Sequence, residues 1–208
     1  MSEARAEVLG RIRSALGSSR HAPEVPREYL RTPESAQGEL VERFVERATD
    51  YRATVYRTTE AALSDMVLEV CRRRGAETLL TPADVPDTWL PDRVAVARDS
   101  GLSYGQLGAF GGVLTGCALA IAQTGTVVLD GGANQGRRAV TLLPDLHLCV
   151  IFEHQIVGTV PESVAALAAR ATHPLTLISG PSATSDIELS RVEGVHGPRT
   201  LDLILVGA

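Results

Sequence analysis

Residues 146–152 have the sequence LHLCVIF, and residues 201–206 have the sequence LDLILV. Short runs as apolar as these are typical of strands that are covered on both faces, as in a parallel sheet. Between such runs the chain carries stretches with helical spacing, for example residues 59–74, which end at Gly75. This alternation predicts an α/β fold built around a mostly parallel sheet.

The same patterns predict the remaining elements. Strands are predicted over residues 52–58, 77–82, 93–98 and 175–179, and helices over residues 39–50 and 161–170. The run CALAIA at residues 117–122 predicts a strand that returns through a turn at Thr124–Gly125. A short helix over residues 116–121 is the alternative, because an unbroken apolar run has no decisive period.

The N-terminal part differs from the rest in composition. Residues 3–17 predict an amphipathic helix, and residues 18–38 contain three prolines among polar residues. We therefore divide the chain into an N-terminal helix with a proline-containing linker, residues 1–38, and one α/β domain, residues 39–208. The pattern allows two roles for the helix, which packs either on a partner subunit or on its own domain.

Composition excludes several classes of protein. The chain of 208 residues has a net charge of −5, which argues against a nucleic-acid-binding protein. It has no apolar run of the roughly 20 residues that span a bilayer and no secretory signal, so we expect a cytoplasmic protein. All 20 cationic residues are arginine, which excludes Schiff-base chemistry, pyridoxal phosphate attachment and the P-loop lysine.

No metal or nucleotide signature is present in the sequence. The three cysteines are widely separated, and the five histidines form no HExxH or comparable ligand spacing, so no metal site is predicted. The motifs GxSxG of hydrolases and GxGxxG of dinucleotide enzymes are also missing.

The first candidate site follows the predicted strand at residues 175–179. Gly180, Ser182 and Thr184 would present backbone N–H groups and hydroxyls at the carboxyl edge of the sheet, where α/β proteins bind ligands and anions. Asp186 and His196, on the same stretch, are the candidates for acid and base catalysis. The alternative is that these hydroxyls only cap a short helix near Ser185 and that Asp186 complements its dipole.

The second candidate site is the turn at residues 123–126, whose members are Gln123, Thr124, Gly125 and Thr126. Asn134 and Arg137 follow in a glycine-containing loop, and an arginine there can bind a carboxylate with two hydrogen bonds. Arg137 is the predicted ligand, although the neighbouring Arg138 is also open to this role. The alternatives are an ordinary hairpin turn and arginines that face solvent.

Several motifs occur together in a characteristic order. They are IAQTGTVVLD at 121–130, LLPDLHLCVIFEHQIV at 142–157, GPSATSDIE at 180–188 and GVHGP at 194–198. This ordered set resembles the lactate-utilization (LUD) domain family, in its lactate utilization protein C branch. The resemblance covers roughly residues 40–208.

The resemblance implies a three-layer α/β/α fold related to ribose-phosphate isomerase, glucosamine-phosphate deaminase and CoA-transferase. It also implies a role in oxidising L-lactate to pyruvate with two iron–sulfur partner proteins, and no cofactor in this chain. Larger relatives carry a cysteine-rich cluster domain, whereas this chain has three scattered cysteines. Gln123 stands where many relatives have glutamate, and an amide cannot act as a carboxylate nucleophile.

Three functions follow from these features. The first is an accessory or substrate-handling subunit that binds a small anionic metabolite within a lactate-oxidising system. The second is a free-standing, isomerase-like enzyme for a small phosphorylated or carboxylated metabolite. The third is an interaction module without catalysis that docks through its N-terminal helix. The sequence leaves the oligomeric state open, including a homo-oligomer.

Overall fold

The computed structural model describes residues 3–17, 24–26, 35–170, 172–181, 183–184, 192–194 and 196–207. The α-helices are α1 (Glu3–Leu16), α2 (Gln37–Asp50), α3 (Leu63–Arg74), α4 (Tyr104–Leu107) and α5 (Val160–Ala166). The strands are β1 (Thr54–Thr59), β2 (Thr78–Thr81), β3 (Ala95–Arg98), β4 (Gly112–Thr115), β5 (Leu119–Ile121), β6 (Thr126–Leu129), β7 (Leu146–Phe152), β8 (Ile156–Val157), β9 (Thr176–Ile178), β10 (Ala183–Thr184), β11 (Val192–Glu193) and β12 (Thr200–Gly207).

The central sheet has six strands in the order β1-β12-β7-β4-β2-β3, and all five neighbouring pairs are parallel. The two apolar runs quoted above form β7 and β12, which pair in the middle of this sheet with His147 opposite Leu201. Residues 146–151 and 201–206 are buried. The predicted α/β fold with a mostly parallel sheet is thus confirmed.

Helices cover both faces of the central sheet because each presents an apolar stripe to it. On one face α3 packs Leu63, Val67 and Val70 among the even-numbered residues of β7. On the other face α2 packs Leu40 and Phe44 among the odd-numbered residues of β7 and β12. Successive residues of a strand point to opposite faces, so the apolar runs fill two cores at once.

A second sheet of four strands, in the order β8-β5-β6-β9, lies beside α2 and shares its core. The run at residues 117–122 contains strand β5, not the alternative helix, and it returns through the predicted turn to β6 with Ala120 opposite Val127. The prediction that residues 175–179 belong to the parallel sheet is wrong. They contain β9, which pairs antiparallel with β6 at the edge of the second sheet.

The predicted N-terminal helix forms α1. Residues 4–17 are all exposed, and Val8, Leu9, Ile12 and Leu16 hold their apolar side chains in solvent. In the described chain by itself, the apolar face of α1 is therefore left uncovered. Among the helices that the structure describes, none combines the length and the apolar character needed to cross a membrane.

Candidate functional site

The two predicted turns lie next to each other. The Oγ1 atom of Thr126 is 2.8 Å from the Oγ atom of Ser179, and 2.7 Å from the Oγ1 atom of Thr124. These hydroxyls link the β5–β6 turn to the end of β9. The turn at residues 123–126 and the start of the stretch that follows β9 therefore lie side by side.

Both turns also pack against the end of α2, and glycine is required at each contact. Gly125 has φ +60°, and a Cβ atom there would collide with the backbone of Arg47 and Ala48. Gly180 has φ +80°, and a Cβ atom there would collide with the carbonyl oxygen of Tyr51. Glycine adopts these angles without strain, and it lacks the Cβ atom that would collide at either contact.

A cavity of about 220 Å³ opens directly beyond Ser179, and we call it the first chamber. Its walls are β9 and the residues after it, the 3-10 helix Arg138–Thr141, the starts of β7 and β12, and residues 196–198. The side chains and turns that line it are Arg138, Thr141, His147, Thr176, Leu177, Ile178, Ser179, Gly180, Pro181, His196, Gly197, Pro198 and Leu201.

The first chamber lies at the amino ends of β7 and β12, because His147 and Leu201 are the second residues of these strands. We predicted a site at the carboxyl edge of the sheet. β9 belongs to the second sheet, and β7 and β12 belong to the central sheet. The carboxyl end of β9 reaches the first chamber, whereas the central sheet presents the amino ends of β7 and β12 to it.

The carboxyl edge of β4 and β2 is covered by the glycine-containing loop at residues 131–136. The carbonyl of Asn134 accepts the N–H of Gly116 at 2.8 Å, and the N–H of Asn134 donates to Asp84 Oδ2 at 2.7 Å. Asn134 has φ +61°, a conformation that asparagine tolerates better than most residues. Asn134 therefore closes this edge and does not reach the first chamber.

The structure separates the two neighbouring arginines. The guanidinium of Arg137 binds both carboxylate oxygens of Asp99, at 2.7 and 3.0 Å, and also the carbonyl of Leu102. Arg138 donates from Nη1 to Thr141 Oγ1 at 2.8 Å and has no carboxylate partner among the described residues. The cation of the first chamber is thus Arg138, whereas we predicted Arg137.

His147 lies buried beside this cation. Its Nε2 atom is 2.8 Å from Thr115 Oγ1. Burial, and next the positive charge of Arg138, lower the pKa of His147 to about 4, so the ring is neutral at neutral pH. Partial burial also lowers the pKa of Arg138, which nevertheless stays charged as arginine does in proteins. The buried polar groups thus add no second charge beside Arg138.

Only some of the predicted site residues line the first chamber. Gly180 and His196 line the first chamber. Thr124, Gly125 and Thr126 support it from behind through Ser179 and α2. Gln123 is exposed, and its N–H donates to the carbonyl of Gly158 at 3.0 Å, away from the chamber.

The other predicted residues lie on the stretch after Pro181. Thr184 belongs to the antiparallel pair β10–β11, in which it faces Val192. Ser182, Asp186 and the short helix expected near Ser185 lie outside the described residues. The structure therefore leaves the roles of Ser182, Thr184 and Asp186 as predictions.

Sequence reasoning left Arg138 open beside Arg137, and it did not single out His147, Thr141, Thr176 or Ser179 as members of the site. The signal for Arg138 was the doublet at 137–138, which left two candidates. The hydroxyls carried no local signal, because Thr141 and Thr176 are ordinary residues of a short helix and a strand.

The described residues contain no group of three or more His, Cys, Asp or Glu side chains that could hold a metal ion. Cys71, Cys117 and Cys149 are all buried and free. Burial raises the pKa of Cys71 to about 11, so very little of it is in the reactive thiolate form at neutral pH.

Comparison with known proteins gives one consistent result. The model of the LUD domain matches residues 41–206. The chain is 45% identical over 208 residues to "Lactate utilization protein C" of Deinococcus radiodurans, covering 99% of this chain and 96% of that protein. It is 25% identical to "Lactate utilization protein C" of Bacillus licheniformis, covering 95% of this chain and 94% of that protein.

A solved structure agrees with this. The crystal structure of a DUF162 family protein from Deinococcus radiodurans superimposes on this chain with a TM-score of 0.74 and 41% sequence identity. The superposition covers 83% of this chain and 99% of that one. The residues that line the first chamber all lie within the range that the LUD domain model matches.

Proposed function

Because the chain belongs to the LUD domain family, we propose that it serves lactate utilization by holding L-lactate or pyruvate at Arg138, while iron–sulfur partner proteins carry the electrons. The observation that supports this most directly is the Arg138 guanidinium, which lines a small chamber without a carboxylate partner among the described residues. The names of the relatives support the metabolic role, and the partners are part of the proposal.

Binding starts from charge. A guanidinium offers five N–H donors in a planar fork, and Arg138 uses Nη1 for Thr141. The remaining donors suit a carboxylate, which accepts two parallel hydrogen bonds from arginine. Since His147 is neutral, the polar groups beside Arg138 favour one negative charge over two.

The size of the chamber supports the same class of ligand. Its volume of about 220 Å³ is below the roughly 300–1,000 Å³ of pockets for drug-sized molecules. The hydroxyls of Thr141 and Ser179 and the ring of His196 line it, so a hydroxyl or oxo group next to the carboxylate would find polar neighbours. A small hydroxy or oxo acid satisfies both conditions.

Oxidation of L-lactate to pyruvate removes two electrons and two protons. Iron–sulfur clusters are held by sets of cysteine thiolates, usually four, whereas this chain has three cysteines, all of them buried. We therefore assign the acceptor of the two electrons, and of the C2 hydrogen that leaves as the second proton, to the partner proteins. This chain would position the substrate, and His196 is the candidate to accept the hydroxyl proton.

The test is calorimetric titration of the purified chain with L-lactate, pyruvate and ribose 5-phosphate. Arg138→Gln should weaken lactate and pyruvate binding about tenfold or more, which corresponds to about 1.4 kcal/mol. Arg137→Gln is the matched control, because it removes the neighbouring charge that Asp99 already binds, and it should leave affinity nearly unchanged. Equal effects of the two substitutions, or tighter binding of the phosphate, would exclude the proposed site.

A free-standing enzyme is the second candidate, because His196 lines the same chamber as Arg138. It requires turnover of a small carboxylated or phosphorylated metabolite by the purified chain alone. Loss of that turnover in His196→Ala, with folding retained, would favour this function over the accessory role.

A further inference from the structure

A second cavity adjoins the first chamber, and we call it the second chamber. Its volume is about 460 Å³. Arg138, Thr141 and Thr176 line both chambers, so these residues form the boundary between them. A ligand bound to Arg138 in the first chamber would therefore lie next to the second.

Most of the second chamber offers no free polar partner. Leu129 and Pro174 contribute apolar surface, and Gly131 and Gly136 contribute no side chain. Its other charged lining residues already have partners, since Arg137 binds Asp99, and Asp130 Oδ2 accepts from Arg170 at 2.8 Å. The chamber therefore suits an uncharged group.

The side-chain amide of Gln135 also has its hydrogen-bond partners within the protein. Its Oε1 atom accepts the N–H of Asp130 at 2.7 Å and of Gly131 at 3.2 Å, while its Nε2 atom donates to Asp130 Oδ1 at 2.8 Å. These bonds hold the amide against the loop instead of turning it toward a ligand. A second anion in this chamber would find no cation without a carboxylate partner other than Arg138 itself, because Arg137 is bound to Asp99.

We infer that the site at Arg138 accepts 2-hydroxy or 2-oxo monoacids with side chains longer than that of lactate, and that the uncharged tail occupies the second chamber. This inference rests on the proposed function, since it keeps the carboxylate at Arg138. The affinity gain comes from removing apolar tail surface from water, and each buried methylene group should tighten binding about two- to fourfold. Dicarboxylates of similar length gain nothing, because their second charge would be buried without a cationic partner of its own.

The experiment compares L-lactate with L-2-hydroxyhexanoate and with a 2-hydroxy dicarboxylate of the same length by calorimetry. In the wild type, L-2-hydroxyhexanoate should bind at least about tenfold more tightly than L-lactate. His173→Trp narrows the second chamber from its exposed wall and should abolish this gain, while lactate affinity stays within about twofold. Pro174→Trp narrows the same chamber from the next position and serves as the second variant.

Val164→Trp is the matched control, because it adds the same ring at an exposed position on α5 outside both chambers. It should leave every affinity unchanged. If lactate binds through Arg138 but the longer acid binds no tighter, or if the gain survives both tryptophan substitutions, the inference is wrong and the proposed function stands. If no acid responds to Arg138→Gln, the proposed function itself fails.

Discussion

Thr126 and Ser179 are 53 residues apart in sequence, and their hydroxyl oxygens are 2.8 Å apart in the structure. This contact joins the β5–β6 turn to the end of β9, directly behind the wall of the first chamber. Thr126 does not line the chamber, whereas Ser179 does. Their hydrogen bond sets the position of Ser179 and Gly180, which line the chamber.

The contact predicts a cost for removing the hydroxyl of Thr126. Thr126→Val takes away the bonds to both Thr124 and Ser179 at a buried position, so the free energy of unfolding should fall by about 1–2 kcal/mol. Urea denaturation measures this. Thr58→Val is the control, because the hydroxyl of Thr58 is exposed and bonds only to the next residue. A cost no larger than that of the control would show that the contact does not stabilise the fold.

Two glycines with left-handed backbone predict different costs for the same substitution. Gly75→Ala, at φ +67° with open space around it, should cost about 1 kcal/mol for backbone strain alone. Gly180→Ala adds a collision with the carbonyl of Tyr51 and should cost at least about 2–3 kcal/mol. Thermal unfolding measures the melting temperatures of the two variants. Equal melting temperatures would contradict the close contact between Gly180 and the carbonyl of Tyr51.

Arg74 and Asp202 form a bidentate ion pair, with N–O distances of 2.6 and 2.7 Å, in which the side chain of Asp202 is 0% exposed and that of Arg74 is 35% exposed. Arg74→Met leaves a buried carboxylate without its cation and should cost about 3–5 kcal/mol.

The neighbouring Arg73 provides the control for this pair. It binds Glu69 at the surface, where both side chains are about half exposed, and Arg73→Met should cost at most about 1 kcal/mol. Denaturant titration of both variants tests the contrast. A smaller loss for Arg74→Met than for Arg73→Met would mean that Asp202 finds another partner.

His147 predicts a pH dependence of stability. Its pKa is about 4 in the folded chain, whereas the ordinary pKa of histidine is 6.5, so between these pH values the unfolded chain binds more protons. The free energy of unfolding therefore rises with pH across this window and levels off above it. Because of His147, the free energy of unfolding should fall by about 3 kcal/mol in total as the pH falls from 6.5 to 4.

His147→Gln should remove this contribution, so its stability should change less with pH than that of the wild type. Asp99 and Asp145 also have lowered pKa values, because they bind Arg137 and Arg199, and they reduce stability at low pH in both proteins. The difference between the two curves from denaturant unfolding thus isolates His147. Parallel curves from pH 4 to 6.5 would show that the ring is not held neutral.

The sequence analysis named several of the residues that line or support the first chamber. The glycines at 125 and 180, the hydroxyls of the 123–126 turn and His196 were all predicted, and the two turns do converge. The choice between Arg137 and Arg138 was not, because Arg137 binds Asp99, which is 38 residues away and carries no signal beside it in sequence. The stretch with Ser182 and Asp186 lies outside the described residues.

Local pattern was sufficient for most of the helices and longer strands and for the fold class, since burial on both faces demands strongly apolar runs such as LHLCVIF and LDLILV. The strand β4, in the glycine-rich stretch, was not predicted. The ordered motifs were sufficient for the family. The place of the site depended on tertiary structure. Residues 175–179 look like one more buried strand, yet β9 pairs with β6 in a second sheet, and its carboxyl end meets the amino ends of β7 and β12. Strand pairing is set by long-range packing that no single stretch encodes, and this packing placed Arg138, His147 and Ser179 around one chamber.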